Sequence, residues 1–513
     1  MHGPEPHEPP PHVLEDEPEE LVPASLEELA AVAPRTTDLA NADAFVAEHG
    51  RGFLFVLEWS SWIAWDGQRW GSAGARGRVL AAAGLTARMH HAMTRTRLQQ
   101  LEAQAQQHAI AGRKDEDLEV QIKYQKRLLV WHEQSQNMSR LEACVRALET
   151  KLTTTVKRLD ANPLLLNCAN GTLDLRSYEL REHRRDDYIT QICDVEWDER
   201  AECPTWERFV EQAMGGKLEL VLYLQRLVGY AITGLTTEHV LAFFHGEGNN
   251  GKSTFVEALL RMLGEYACAV PRELLIEDRN GAQRHPTELA RLHGKRLAVC
   301  AETKDGDKLD EAKVKDLTGG TTIAVRRMNE DFWDLQPTHT FLMCGNYKPV
   351  VTGTDLGIWR RIRLVPWTVI VAQEDVDTDL PRKLGREHAG ILRWAAMGCL
   401  EWQRVGLAAP IEVSEATQAY RDESDVHAEF LDEHCLFAAD ERCPRRDLRE
   451  RYEEWCKEGG HRALSPRRLA ARLRGRGVES RAMKIGVKVV NGWAGVRLMT
   501  TEERSAAKVT VLV

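Results

Sequence analysis

Residues 246–254 read Gly-Glu-Gly-Asn-Asn-Gly-Lys-Ser-Thr, and these nine residues indicate how the surrounding chain folds. Four residues separate Gly246 from Gly251, and Lys252 and Ser253 follow, which is the pattern of a phosphate-binding loop. The apolar run 240–244 before it predicts a buried strand, and 255–263 after it has apolar residues at helical spacing. Strand, glycine-rich loop and helix, in that order, form the context that such a loop requires.

The loop has the chemistry to hold the phosphates of a nucleotide. Glycines let the backbone curl so that successive N–H groups point inward, and the N-terminus of the next helix adds partial positive charge. Lys252 would reach the β- and γ-phosphates, and Ser253 would place its hydroxyl on Mg²⁺. We therefore predict a site for ATP and Mg²⁺. Its expected nucleotide-binding residues are Gly246, Glu247, Gly248, Asn249, Asn250, Gly251, Lys252, Ser253 and Thr254.

Two further apolar strands are followed by polar side chains that suit this site. The run 296–301 is followed by Glu302, and the run 340–345 by Asn346. Because parallel strands end at one edge of a sheet, Glu302 could hold Mg²⁺ or polarise the attacking water, and Asn346 could orient that water. An acid after an apolar strand is a weak signal by itself. Its position 50 residues after Lys252 makes Glu302 the candidate.

The motifs continue in one order, from the glycine loop through Glu302 and Asn346 to Trp359-Arg360-Arg361. This order resembles the superfamily 3 helicases of the AAA+ class, and above all the helicase part of phage and plasmid primase proteins, which are related to poxvirus primase-helicases. The resemblance covers residues 50–500, with the ends approximate. It also rests on the stretches 167–174, 294–297, 302–303, 315–320, 345–349 and 353–355.

The resemblance implies a role for each matched residue. Lys252 would bind the triphosphate, Glu302 would be the acidic motif and Asn346 the sensor of the γ-phosphate. Arg361 would be the arginine finger that reaches the ATP of a neighbouring subunit, with Arg360 as the second choice. A cation there would stabilise the charge that develops on the γ-phosphoryl oxygens. The resemblance also implies a hexameric ring around DNA.

Such helicases carry a hairpin between the acidic motif and the sensor, and it projects basic residues into the channel. Here that region holds Lys313, Lys315, Arg326 and Arg327. Lys315 and Arg326 match the family positions best and are our candidates for DNA binding. The alternative for each of these residues is an ordinary surface face of salt bridges.

The chain departs from the family pattern in two ways. Many of these helicases end the second strand with two adjacent acids, whereas this chain has Ala301-Glu302. Either Glu302 serves both metal and water, or another acid such as Asp305 assists. Relatives often carry a primase domain ahead of the helicase, but residues 1–36 are rich in Pro and Glu. We therefore expect no primer synthesis by this chain and a separate primase as a possible partner.

The C-terminal region predicts a winged helix. A helix at 445–455 is followed by Gly459-Gly460, and a second helix starts at Ser465-Pro466, with Ser as N-cap. A hairpin is expected around Asn491-Gly492, which completes the order helix, turn, helix, hairpin. The second helix could instead pack on the core without touching DNA. The arginines expected to neutralise DNA phosphates are Arg467, Arg468, Arg472 and Arg474.

Composition bounds the remaining possibilities. The net charge of −10 argues against a uniformly basic nucleic-acid binder, although residues 1–36 hold nine acids and only Arg35 as a base. Eleven scattered cysteines without a Cys-x-x-Cys pair are typical of reduced thiols in a cytoplasmic protein. No apolar run approaches membrane-spanning length, and the Pro- and Glu-rich start is unlike a signal peptide.

The expected fold is an α/β AAA+ P-loop core, with a parallel sheet flanked by helices, a helical N-terminal region and a C-terminal winged helix. A short hairpin at 53–56 and 62–67, with Asp66-Gly67 as its turn, would open the helical region. The expected boundaries are a disordered acidic tail at 1–36, a helical N-terminal domain at 37–162, an α/β segment ahead of the helicase core at 163–235, the ATPase core at 236–370, a helical lid or linker at 371–420 and the winged helix at 421–513.

The sequence therefore predicts an ATP-dependent replicative DNA helicase of a phage, plasmid or other mobile element. A binding protein of a different class remains open, namely an ATP-gated origin-binding initiator without processive unwinding. A P-loop kinase acting on a small molecule is a third option. The lack of an evident substrate lid argues against it.

Overall fold

The structure is a computed structural model that describes residues 36–277, 287–327, 330–351, 356–461, 463–485 and 488–504. Residues 1–35 of the expected acidic tail and the 353–355 stretch lie outside the described residues. The chain divides into two compact units. The first comprises Met1–Asp66 with Trp70–Arg158, and the second comprises Gly67–Arg69 with Leu159–Val513.

The first unit combines a small sheet with long helices. Its sheet has the order β3-β2-β1-β4, and three helices carry the buried Leu101, Leu128 and Leu148. The expected hairpin forms between β1 and β2, but its connection is 57–60, and Asp66-Gly67 lies in the next connection, before β3. The elements are α1 (Asp38–His49), β1 (Phe53–Val56), β2 (Ser61–Trp65), β3 (Trp70–Gly71), α2 (Ala75–Ile110), α3 (Glu116–Gln134), α4 (Met138–Lys151) and β4 (Thr153–Thr154).

The second unit opens with an antiparallel meander and two helices. Strands β5 and β6 form an antiparallel pair in which Cys168 lies opposite Gly171, so Ala169 and Asn170 form the turn between them. Four buried apolar residues of this meander, Leu166, Cys168, Leu173 and Leu175, pack into the main core. The elements are β5 (Leu165–Cys168), β6 (Gly171–Asp174), β7 (Glu179–Arg181), α5 (Pro204–Ala213) and α6 (Leu218–Ala231).

A five-stranded parallel sheet forms the centre of this unit, in the order β14-β8-β13-β10-β9. Its inner strands are buried along almost their whole length because helices cover both faces, which explains their continuous apolar runs. The elements are β8 (Leu241–His245), α7 (Lys252–Leu263), β9 (Ala267–Val270), α8 (Thr287–Ala290), β10 (Leu297–Ala301), α9 (Glu311–Thr318), β11 (Ile323–Val325), β12 (Trp333–Leu335), β13 (Thr340–Gly345), α10 (Leu356–Trp359) and β14 (Ile362–Pro366).

Three helices follow the sheet: α11 (Leu380–Arg386), α12 (His388–Val405) and α13 (Ile411–Glu423). Helix α12 packs on α6 with the two backbones in direct contact. A Cβ added to Gly229 of α6 would overlap the backbone nitrogen of Cys399, and one added to Gly398 would overlap the carbonyl oxygen of Gln225. Glycine is therefore required at this crossing.

The C-terminal module has its own core, which includes Leu448, Tyr452, Leu469 and Trp493. Both predicted helices are present, and the side-chain oxygen of Ser465 accepts a hydrogen bond at the start of the second. The elements are α14 (Val426–His434), β15 (Cys435–Leu436), β16 (Arg442–Pro444), α15 (Arg445–Glu458), α16 (Pro466–Gly475), β17 (Glu479–Ile485), β18 (Lys488–Ala494) and β19 (Arg497–Leu498).

The predicted turn of the C-terminal hairpin is wrong. Asn491 and Gly492 lie inside β18, opposite Ala482 and Arg481 of β17, and the connection between the strands falls at 486–487, outside the described residues. Glycine is favoured at 492 because a Cβ there would overlap the side chain of Met483. Within the part of the chain that the structure describes, no helix is both long and apolar enough to cross a membrane.

Candidate functional site

The glycine loop connects β8 to α7 at the carboxyl end of β8, which lies between β14 and β13 in the sheet. Asn249 and Gly251 both have left-handed backbone conformations, with φ of 58° and 83°. A Cβ at Gly251 would also approach the ring of Phe209 to 2.9 Å. Position 251 therefore requires glycine for conformation and for space. A Cβ at Gly248 would meet no atom within 4 Å, so that position is open.

The segment after β14 holds the loop in place. The backbone N–H of Trp367 donates to the carbonyl oxygen of His245 over 2.8 Å, and the Asn250 side-chain amide donates to the carbonyl of Trp367 over 3.0 Å. The Val371 N–H donates to the carbonyl of Asn249 over 2.9 Å. A Cβ at Gly246 would overlap the Trp367 carbonyl oxygen, which explains glycine at the start of the loop.

An aromatic cluster lies under the loop. Phe255, on the first turn of α7, stacks on Trp206 at a centroid distance of 4.8 Å and contacts Phe244 at 5.7 Å and Trp367 at 5.5 Å. All four side chains are buried. The start of α7 is therefore fixed against the sheet by large, rigid side chains.

Lys252 lies at the first position of α7 with its ammonium group turned back under the loop. Nζ donates to the carbonyl oxygens of Gly246 and Glu247, at 2.7 and 2.9 Å, and to Oδ1 of Asn250 at 3.0 Å. The residue is buried, and this burial lowers the pKa of the amine. An anion in the loop would compete with these three acceptors for the ammonium group. Ser253, one residue further on, is exposed.

Glu302 and Asn346 lie at the same edge of the sheet as the loop. Ala301 of β10 pairs with Cys344 of β13, and Gly345 pairs with His245 of β8. Adjacent strands therefore end together, as expected from the sequence, and both polar side chains are exposed at that edge.

The backbone around Glu302 is unusual. Glu302 has a φ of 64°, the left-handed region that non-glycine residues rarely occupy. The next residue, Thr303, donates its hydroxyl to the carbonyl of Tyr347 over 2.5 Å, which ties the end of β10 to the residues after β13. Strained backbone of this kind is concentrated at functional sites. Nothing in the sequence pattern indicated this conformation.

Arg361 is not positioned as expected for a residue that reaches a neighbouring subunit. It is 8% exposed, and its guanidinium donates from Nε to the hydroxyl of Thr318 over 3.1 Å and from Nη1 to the carbonyl of Gly357 over 2.7 Å. Arg360, which precedes it, is exposed. Both residues lie in the turn between α10 and β14, and only Arg361 is buried. The arginine-finger role stays a prediction, for which Arg360 is the exposed candidate.

The basic residues between the acidic motif and the sensor lie on two elements. Lys315 is half-buried in the last turn of α9. Arg326 follows β11 of an antiparallel hairpin, and its guanidinium lies 4.9 Å from the ring centre of Phe332, which precedes β12. Phe332 is 58% exposed, a large aromatic side chain that the sequence analysis does not single out. In the sequence it lies between Asp331 and Trp333, so no local pattern indicates its exposure.

The four predicted DNA-binding arginines of α16 do not share one environment. Arg467, Arg468 and Arg474 are exposed. Arg472 contacts both carboxylate oxygens of Asp425 at 2.5 Å and has only 15% of its side chain exposed. Its charge is therefore already paired within the chain, and its contact with DNA phosphates stays a prediction.

Two family models match the chain. Residues 42–215 match the model described as "D5 N terminal like", and residues 244–361 match a "Family of unknown function (DUF5906)". The second match contains the glycine loop, Glu302 and Asn346.

Several viral proteins are similar to this chain. "Putative helicase 022R" of Frog virus 3 is 27% identical over 292 residues, which is 53% of this chain and 29% of the relative. "Putative helicase L207/L206" of Acanthamoeba polyphaga mimivirus is 26% identical over 326 residues, or 59% of this chain and 34% of the relative. "Putative primase C962R" of African swine fever virus is 27% identical over 218 residues, or 40% and 22%.

The chain thus spans about a third or less of the length of these viral relatives. Among solved structures, the C-terminal region of NrS-1 is similar, with a TM-score of 0.39 and 13% identity over 58% of this chain and 78% of that chain. The two family matches and the viral relatives support the resemblance to primase-helicase proteins that the motif order indicates.

Proposed function

We propose that this chain is an ATP-dependent DNA helicase of the superfamily 3, AAA+ type, which hydrolyses ATP to move along DNA. One observation carries the proposal. The glycine loop, Glu302 and Asn346 directly follow three adjacent parallel strands, so they lie at one edge of a single sheet. Ligands of open parallel sheets bind at this carboxyl edge.

The residues at this edge fit a nucleoside triphosphate. The loop backbone and the start of α7 would receive the phosphates, and Lys252 would exchange its three loop acceptors for phosphate oxygens. Asn346 would orient the attacking water, and Glu302 would take its proton. The hydrolysis adds this water to the γ-phosphorus and releases ADP and phosphate.

Mg²⁺ also fits this edge. Among the described residues, no group of three or more His, Cys, Asp or Glu could hold a metal ion by itself. Mg²⁺ needs no such group, because it keeps several waters and takes one or two protein ligands beside substrate phosphates. The exposed Ser253 and Glu302 are the residues that would hold it. When bound, the ion would neutralise charge on the β- and γ-phosphates.

The proposal includes a ring of subunits, with Arg360 supplied across each boundary. Arg360 is exposed directly after α10, and its side chain has no ion pair or hydrogen bond among the described residues. A free guanidinium can approach the γ-phosphate of a neighbour without first breaking bonds inside its own subunit. This property favours it over the internally bonded Arg361.

DNA would contact the hairpin of β11 and β12. Arg326 could neutralise a phosphate, and the exposed ring of Phe332 could stack on a base. Stacking on an aromatic side chain tolerates any sequence, which suits a protein that moves along a strand. Lys315 would add positive charge from α9.

Lys252→Ala tests the ATP site. We expect it to abolish ATP hydrolysis, while Lys457→Ala, which changes an exposed lysine of α15, should retain wild-type turnover. Undiminished turnover in the Lys252 variant would refute the site assignment.

A strand-displacement assay with and without ATP then tests the movement. We expect ATP-dependent displacement of an annealed oligonucleotide by the wild-type chain. Hydrolysis and DNA binding without displacement would favour the alternative, an ATP-gated initiator that binds an origin.

A further inference from the structure

A cleft of about 830 Å³ lies within the second unit, away from the glycine loop. Three parts of the chain line it: the region of Lys308 and Val350, the end of α13 with Arg421, and the C-terminal module with Arg468. None of the residues 246–254, Glu302 or Asn346 lines it. It is therefore a separate place from the proposed ATP site.

The cleft carries an excess of positive charge. Its lining cations are Lys308, Arg421, Arg449, Arg468 and Arg472, and its lining acids are Glu277 and Asp425.

Two of these cations are neutralised inside the chain. Arg472 pairs with Asp425 at 2.5 Å, and Arg449 pairs with Glu453 at 2.5 Å. The other three cations have no ion pair and no side-chain hydrogen bond among the residues that the structure describes. Three unpaired cations thus face one remaining acid, Glu277.

The N-terminus of α16 adds partial positive charge to the cleft. Ser465 caps the helix, and its hydroxyl accepts a hydrogen bond from the N–H of Arg468 at 3.4 Å. Both residues line the cleft, so the partial positive end of a ten-residue helix is directed to it. Arg468 and Arg472 lie one helical turn apart on the same face. A phosphate group is the ligand that unpaired guanidinium groups and a helix N-terminus recognise best.

We propose that this cleft binds the phosphodiester backbone of a single-stranded nucleic acid. The cleft is large enough for a segment of several nucleotides, whereas a small ion would leave most of it unfilled. The ring of His461 lines the cleft and offers a flat surface on which a base could stack. The inference rests on the proposed function as a DNA helicase. It adds a second contact for the strand, apart from the hairpin of β11 and β12.

The wall of the cleft is tied to the proposed γ-phosphate sensor. Val350 lines the cleft and follows Asn346 by four residues. Between them, Lys348 pairs with Glu423 of α13 at 2.6 Å, and the hydroxyl of Tyr420 donates to the carbonyl of Pro349. Arg421 lies between these two anchoring residues of α13. A nucleic-acid strand bound by Arg421 could therefore shift the segment that carries Asn346, through the contacts of α13 with Lys348 and Pro349.

The test compares two double variants of the full chain. Arg421→Ala with Arg468→Ala removes two unpaired cations of the cleft. Arg208→Ala with Arg442→Ala removes two exposed arginines elsewhere, neither of which lines the cleft or has a side-chain ion pair or hydrogen bond among the described residues. Fluorescence anisotropy of labelled oligo-dT measures affinity without nucleotide over a range of salt concentrations. Thermal unfolding checks that each variant is folded.

Each phosphate contact contributes about 0.7 to the slope of log affinity against log salt for a single strand. At about 0.1 M salt this corresponds to about fivefold per contact, so the cleft variant should bind about 25-fold more weakly. Its slope should fall by about 1.4. The control variant should keep the wild-type affinity and slope.

Three results would overturn the cleft assignment. One is equal affinity of the folded cleft variant and the wild-type chain, and another is an equal loss in the control variant. The third is complete displacement of oligo-dT by inorganic pyrophosphate at the concentration of binding sites, which would indicate a small-anion site. Failure of the wild-type chain to bind oligo-dT at all would instead contradict the proposed function.

Discussion

Separate replacement of Arg361 and Arg360 should affect different properties, namely the stability of the fold for Arg361 and ATP hydrolysis for Arg360. The two arginines are adjacent, but Arg361 is buried and bonded to Thr318 and Gly357, whereas Arg360 is exposed. Arg361→Ala should therefore unfold the protein more easily. Arg360→Ala should leave the fold intact and remove the cation that we assign to the neighbouring ATP site.

The structure sets the size of the stability effect. Arg361→Ala removes at least the hydrogen bonds to Thr318 and Gly357 from a charged donor, and each such bond contributes about 1.5–3 kcal/mol. It also leaves the Gly357 carbonyl without this donor. The Thr318 hydroxyl keeps its own bond to the carbonyl of Val314 at 2.6 Å, which limits the loss. We expect a decrease of about 3–5 kcal/mol in the free energy of unfolding for Arg361→Ala. For the exposed Arg360→Ala, the change should stay within about 0.5 kcal/mol.

Urea unfolding, followed by circular dichroism, measures the first effect, and ATP turnover at saturating nucleotide measures the second. Arg360→Ala should bind nucleotide and lose hydrolysis. Mixing it with Lys252→Ala should restore part of the turnover, because a site shared between subunits can be completed by the other variant. Equal unfolding midpoints for the two arginine variants would refute the burial argument. No restoration at any mixing ratio would argue against a shared site.

Three further substitutions test local features of the fold. Gly251→Ala should lower the free energy of unfolding by about 2 kcal/mol, because alanine is strained at positive φ and its Cβ would crowd Phe209. The same variant should bind nucleotide more weakly in calorimetry. Gly248→Ala, the control, should bind nucleotide as the wild type does. Gly398→Ala should cost at least about 2 kcal/mol in urea unfolding, since its Cβ would overlap backbone atoms; an unchanged midpoint would contradict the close contact between α6 and α12. Burial lowers the pKa of His339 to about 4, from 6.5 when exposed, and both ring nitrogens lack hydrogen-bond partners among the described residues. As the pH falls, the unfolded chain therefore takes up this proton before the folded chain does. The free energy of unfolding should be unaffected by His339 above pH 6.5 and fall by up to about 3 kcal/mol as the pH decreases to 4. His339→Leu should flatten this dependence, and equal pH profiles of the variant and the wild type would contradict the buried neutral imidazole.

The glycine loop, the strands and the shared sheet edge could be predicted from the sequence because their signals are local. A buried parallel strand shows a continuous apolar run, and a phosphate-binding loop shows its spacing within nine residues. The placement of Glu302 and Asn346 then follows from the fact that parallel strands end together. The left-handed backbone of Glu302 has no such local signal, and the contact next to it joins Thr303 to Tyr347, 44 residues away.

The features that the sequence did not reveal depend on contacts between residues that are far apart in the chain. Arg472 and Asp425 are 47 residues apart, so the sequence around α16 could not show that this arginine is already paired. Asn491-Gly492 has the composition of a hairpin turn, but the strand pairing places it opposite Arg481, and Met483 fills the space that glycine leaves. In each case tertiary contacts override a correct local preference.

The glycine-mediated crossing of α6 and α12 has a consequence for how force could pass through the protein. Two helices whose backbones touch have no layer of side chains that can slide or change rotamer between them. The two helices should therefore move together as one rigid body. A conformational change that begins at the glycine loop would then rotate this pair of helices as a unit. The hinges are expected in the segments 232–240 and 406–410, which flank the pair.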